Sequence, residues 1–174
     1  MEYQSIKHEC AYYLGLSELV ETRLAQSANY HYAVTALSEC WKWLEGESVM
    51  PKELLDSFHD DDDFGVEPSM IIESDHERWN VWACVAVGIV ITASIAYRQA
   101  GALQLPENLV GADSSQNQQQ FMRCFNSLIP VESVTERFRV LLDGLGSSEV
   151  TRAQVRDCAF RALHEAALSV AVKA

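Results

Sequence analysis

Residues 79–101 read WNVWACVAVGIVITASIAYRQAG, and from Val81 to Tyr97 almost every side chain is apolar. The run lacks the alternation of a strand and is read as a helix without a polar face. Such a helix either crosses a membrane or is surrounded by other helices. A membrane span needs about 20 apolar residues, and this run falls slightly short. It is also dense in small residues, from Ala83, Cys84 and Ala86 through Gly88 to Ala93, Ser94 and Ala96. Small residues let neighbouring helices approach closely. The expectation is a central core helix capped by Asp75 and ended at Gly101.

The flanking segments supply the helices that would enclose it. A first helix is expected from near Tyr3 to Gln26, bent or broken at Gly15. The second takes in YAVTALSECWKWLEG, residues 32–46. There Ala33, Leu37, Cys40, Trp41 and Leu44 share a face, and Gly46 is the stop. Pro51 opens a short helix ending near Phe58, followed by loop signals in the aspartates, Gly65 and Pro68. Beyond the central run, LPENLVGADSSQNQQQ is a polar connection leading into a helix from Gln116 to Leu128. Pro130 separates this from a helix with Val134, Phe138, Leu141 and Leu142 on one stripe, closed by Gly144 and Gly146. Thr151 caps the last helix, whose apolar body is Ala153, Val155, Ala159, Leu163, Ala167 and Val170. The reading is one all-α domain over residues 1–174, a bundle of six or seven helices around a buried apolar helix.

A length of 174 residues corresponds to about one domain. With 48% hydrophobic and 22% charged residues, the chain has the material for a core. Its formal net charge is −12. That argues against bare nucleic acid as a partner, since phosphates need Lys and Arg. It argues equally against an anionic membrane surface. The excess is confined to one half. Met1 to Glu77 holds 17 acidic and 4 basic residues, and Arg78 to Ala174 holds 8 and 9. Such asymmetry suits a basic protein partner or a solvated face that aids solubility. Five cysteines stand far apart among apolar neighbours, without a CxxC pair. Together with a polar N-terminus, MEYQSIKHEC, they predict buried thiols in a reducing cytoplasm.

The acidity peaks in SFHDDDDFGVEP, residues 57–68, where Asp60, Asp61, Asp62 and Asp63 adjoin between Phe58 and Phe64. Adjacent carboxylates repel and cost stability unless something cationic sits near them, so the run faces a metal, a basic protein, or only water. An EF-hand fails, because with Gly65 at the sixth loop position Ile71 falls at the twelfth, where Glu is required. Glu73 and His76 have the E-x-x-H spacing of a di-iron helix, but such a site needs two of these motifs. The five histidines show no HExxH motif and no Cys–His ligand spacing. There is no GxSxG elbow and no glycine-rich phosphate loop. No catalytic residue, metal ligand or cofactor site is read from the sequence, and an enzyme is not expected. Trp41 and Trp82 are expected in the core. Trp43 and Trp79, partly exposed on either side of the acidic loop, suit a protein-binding patch.

ALSECWKWLEGE (residues 36–47), the acidic loop, ERWNVWACVAVGIVITASIAYRQAG (residues 77–101) and LPENLVGAD (residues 105–113) together resemble a known group. They are similar to the all-helical immunity proteins of bacterial polymorphic toxin systems. In that group a tryptophan-bearing helix, an apolar helix ending in Ala-Tyr and a Leu-Pro segment recur. The resemblance covers Leu37 to about Asp113, and the final third adds little beyond helicity. It implies a protein that neutralises a cognate toxin by binding it. Many such toxins attack nucleic acid through basic clefts, so a basic partner, of the nuclease kind, is implied. The charge facing it would come from Asp60, Asp61, Asp62, Asp63, Glu67, Glu73, Asp75 and Glu77, with Phe58, Phe64, Trp43 and Trp79 as anchors. The residues also leave open a metal-dependent helical oxidoreductase built on Glu73 and His76. A self-associating structural or regulatory module is the other alternative.

Overall fold

The computed structural model describes residues 2–112, 114–131, 133–146 and 150–171. Asp113, at the end of the resemblance, and the side chain of Val170 lie outside them. Among the described residues, eight α-helices follow in order: α1 (Glu2–Val20), α2 (Tyr30–Glu45), α3 (Pro51–Phe58), α4 (Val66–Ile72), α5 (His76–Gln99), α6 (Ser115–Leu128), α7 (Val134–Asp143) and α8 (Arg152–Ala171). Single 3-10 turns occupy Glu21–Leu24 and Glu107–Leu109, and the described residues contain no strand.

The apolar run is the centre. Asp75 Oδ1 accepts the Arg78 backbone N–H at 2.8 Å and starts α5, and the helix ends two residues before Gly101. α5 is long and apolar enough to cross a membrane, yet 89% of its most apolar window is buried inside the molecule. Helices α1, α2, α3, α4 and α6 pack around it. Its hydroxyls are satisfied locally: Thr92 Oγ1 donates to Gly88 O at 2.8 Å and Ser94 Oγ to Ile91 O at 2.8 Å, which removes the cost of burying them. Every cysteine is reduced and buried, one each on α1, α2, α5, α6 and α8. Burial pushes the Cys10 thiol up to about 12.

The second helix is formed as its pattern dictates. Ala33, Ala36, Leu37, Cys40, Trp41 and Leu44 are buried, and α2 stops at Gly46 in the left-handed conformation, φ 90°. The Trp41 indole N–H has no hydrogen-bond partner among the described residues. Burying an indole of roughly 150–250 Å² stabilises by about 4–6 kcal/mol at ~25 cal/mol per Å². That outweighs the ~1–3 kcal/mol cost of the desolvated N–H.

Several expectations need correction. The segment read as loop around Gly65 and Pro68 holds a helix, Val66–Ile72. Pro68 stands in its first turn, where a missing N–H costs no intrahelical bond. α1 ends at Val20 and continues only as a 3-10 turn. On α8 the buried face is Val155, Cys158, Ala159, Ala162 and Ala166; Leu163 is half-buried, and Ala153 and Ala167 are exposed. Nor does Gly15 break α1, which continues through it. α1 is packed on two sides, by α5 and by the α7–α8 pair. A Cβ built on Gly15 would lie 2.7 Å from Phe138 Cζ and 2.8 Å from Val155 Cγ1. The glycine is there for a close approach. α8 is further tied to α1 by Arg152 Nη2, 2.6 Å from Glu18 Oε1. Burial raises the Glu18 carboxyl and Arg152 opposes that shift.

Gly15→Ala tests this packing. Helix propensity alone would stabilise by about 0.5–1 kcal/mol, but overpacking against Phe138 costs about 1–3 kcal/mol. The expected result is a lower melting temperature, partly restored in the double variant Gly15→Ala/Phe138→Leu.

Candidate interaction surface

α3 and α4 carry the acidic stretch along one side of α5. Lys52, Leu55, Asp56, His59, Asp60 and Asp61 share an open cleft of ≈510 Å³ with Tyr97 and Asn108. At the other end, Glu73, Ser74, Asp75 and His76 form a shallow hollow with Trp79. Trp79 and Tyr97 are separated by about 27 Å of helix, so the chain from Lys52 to His76 runs back along α5 as a strip.

Local chemistry fixes the aspartate run. Leu54 and Phe58, four apart on α3, turn into the core. The chain then reverses on Asp60. Its Oδ1 accepts the backbone N–H groups of Asp62 at 3.0 Å and Phe64 at 2.8 Å. Its backbone N–H donates to Phe64 O at 3.0 Å. Gly65 completes the turn at φ 121°, where a Cβ would lie 2.6 Å from Phe58 O. Asp60 is therefore half-buried and committed to the turn, while Asp61, Asp62 and Asp63 face water.

The chain's own His59 lies against two of these acids, and when protonated it is part of the compensating cation. Its Nδ1 lies 2.6 Å from Glu67 Oε2 and its Nε2 3.2 Å from Asp63 Oδ1. The Glu67 hydrogen bond, with Asp63 assisting, raises the imidazole above its ordinary pKa. Two carboxylates ~4 Å apart in water repel by about 1 kcal/mol. The hydrogen bonds of the turn, at about 0.5–1.5 kcal/mol each, are of the size needed to hold the run in place. Asp61 and Asp62 form no salt bridge among the described residues.

The other expected acids have distinct environments. Glu73 is turned inward and held by Arg78, with Nε–Oε2 at 3.0 Å and Nη2–Oε1 at 3.1 Å. Arg78 keeps its carboxyl below the usual range. Asp75 is the cap of α5. Glu77 is exposed and pairs with Arg23 at 2.7 Å. Glu73 follows the end of α4 and His76 opens α5, so their E-x-x-H spacing never lies on one helix face. No group of three or more His, Cys, Asp or Glu is arranged to hold a metal among the described residues.

The expected anchors divide. Trp41 and Trp82 are in the core, as their spacing implies. Phe58 is buried, 6% exposed, and presents no surface to a partner; it fixes the loop from below. Phe64 is exposed and lies parallel to Tyr32, with ring centroids 6.3 Å apart. Trp43 and Trp79 are both half-buried. Trp43 shares a hollow with Gln99 at the far end of α5, about 30 Å of helix from Trp79, so the two do not form one patch. The sequence reading missed Ile71 and Ile72, which are exposed at the end of α4. A signal was available. Val66, Ser69 and Met70 make one helical face, and residues 71 and 72 fall opposite it.

An all-α body is what the resemblance to helical immunity proteins implies. Residues 8–128 match the family described as Immunity protein Imm6, and the chain belongs to that family of immunity proteins. The match extends beyond Leu37–Asp113 in both directions and stops before α7. No curated protein and no solved structure matches the chain.

The His59 contacts set a pH dependence. Its folded pKa is raised, so its stabilising contribution is whole below the unfolded value of about 6.5. That contribution fades as pH rises through the folded value. An NMR titration of the imidazole should show the raised pKa. Glu67→Gln should move it down.

Proposed function

We propose that this protein binds and neutralises a cognate bacterial toxin by covering a basic surface of the toxin with the acidic strip of α3, α4 and the start of α5. One observation carries the reading: from His59 to Glu77 there are eight carboxylates and no Lys or Arg, and the turn on Asp60 holds three of them out in water. A field of one sign on a fixed support accelerates encounter with a surface of the other sign. A nuclease is a partner of that kind, because its cleft must be basic to hold phosphates. Blocking such a cleft needs no catalytic group on the inhibitor. Neutralisation would take place in the cytoplasm of the producing cell.

The test is the triple variant Asp61→Asn/Asp62→Asn/Asp63→Asn, with Asp60 left in place because it makes the turn. The protein should fold, its melting temperature lowered only by the loss of the Asp63–His59 contact, and co-purify with the toxin encoded beside it. Association should slow roughly tenfold at low salt and lose most of its salt dependence. Association as fast as wild type at low salt removes the aspartates from the interface.

A further inference from the structure

The strip has a feature that charge does not explain. Ile71 is 70% and Ile72 72% exposed at the end of α4, and Phe64, in the turn that precedes the helix, is 52% exposed. Single exposed apolar side chains are ordinary. Here two adjoining isoleucines end a seven-residue helix, and a phenylalanine lies two residues before its first residue. Exposed apolar side chains grouped in one short segment with acidic residues on either side suit a protein contact.

We propose that Ile71, Ile72 and Phe64 form the apolar centre of the toxin interface, with Asp61, Asp62 and Asp63 as its rim. This rests on the reading given under Proposed function and adds what the partner presents: an apolar hollow bordered by Lys and Arg. Charge complementarity selects that occupant. Carboxylates adjoin the patch on both sides in sequence, Asp61–Asp63 before Phe64 and Glu73–Glu77 after Ile72. A second copy docking through the same patch would bring these acids against themselves, since a two-fold contact pairs a surface with itself. An anionic lipid surface would be repelled for the same reason.

The two parts of the surface then have separate kinetic roles. Rim charges govern encounter, and a desolvated apolar centre governs escape. The probe is the purified product of the gene beside this one, with binding followed in real time at low and high salt. Ile71→Ala/Ile72→Ala should fold with an unchanged melting temperature, because both side chains are in water in the free protein. It should dissociate about tenfold or more faster, with association and its salt dependence unchanged. Phe64→Ala should act in the same direction. Unchanged dissociation in both variants, while the aspartate variant still associates slowly, overturns the apolar centre and leaves the acidic reading intact. No effect from either set overturns both. A self-associating protein that becomes monomeric in the isoleucine variant, with toxin binding unchanged, assigns the patch to a second copy and overturns the proposal.

Discussion

A helix with no polar face must be enclosed, and the rest of this molecule follows from that constraint. α5 offers apolar side chains in every direction, so five helices pack around it. α1, the longest of those five, is pressed against α5 on one side and needs cover on the other. The α7–α8 pair provides it, at a distance so short that Gly15 has no room for a side chain. The salt bridge between Glu18 and Arg152 crosses the same contact. The bundle is thus built in layers, with α5 enclosed first and α1 second.

The acidic strip depends on the same enclosure from the outside. α3 and α4 are short, and neither would be stable alone in water. Docked on α5, they bring the intervening turn to a fixed place, and Asp60 and His59 absorb much of the repulsion inside the run. The chain has in effect divided its carboxylates. Asp60, Glu67, Glu73 and Asp75 hold the structure together, while Asp61 and Asp62 form no salt bridge among the described residues. Charge that is already positioned loses little conformational freedom when a partner arrives.

What was legible in the sequence was whatever a local pattern determines. The apolar run, the Asp75 cap, the buried face of α2 and its stop at Gly46 each follow from spacing over one or two turns. What was not legible depended on partners distant in the chain. Gly15 reads as a helix breaker until Phe138, on another helix, is seen against it. Gly65 and Pro68 read as loop because both punctuate structure, yet one permits a turn and the other tolerates a first helical turn. Phe58 reads as an anchor beside the acids, and packing takes it inward. Glu73 reads as a free carboxylate until Arg78 folds back on it. Ile71 and Ile72 differ from these, because the local spacing of Val66, Ser69 and Met70 already puts them on the outer face of α4.

The five buried thiols give the molecule a built-in gauge of its own motion. A thiol shut away from water and held in its protonated form does not react with an alkylating reagent. Each cysteine is on a different helix, so reaction at any one of them records a transient separation of that helix from its neighbours. Mass spectrometry of a timed labelling reaction would rank α1, α2, α5, α6 and α8 by how readily each lets go. Repeating it in the complex would reveal which of them a bound partner holds shut.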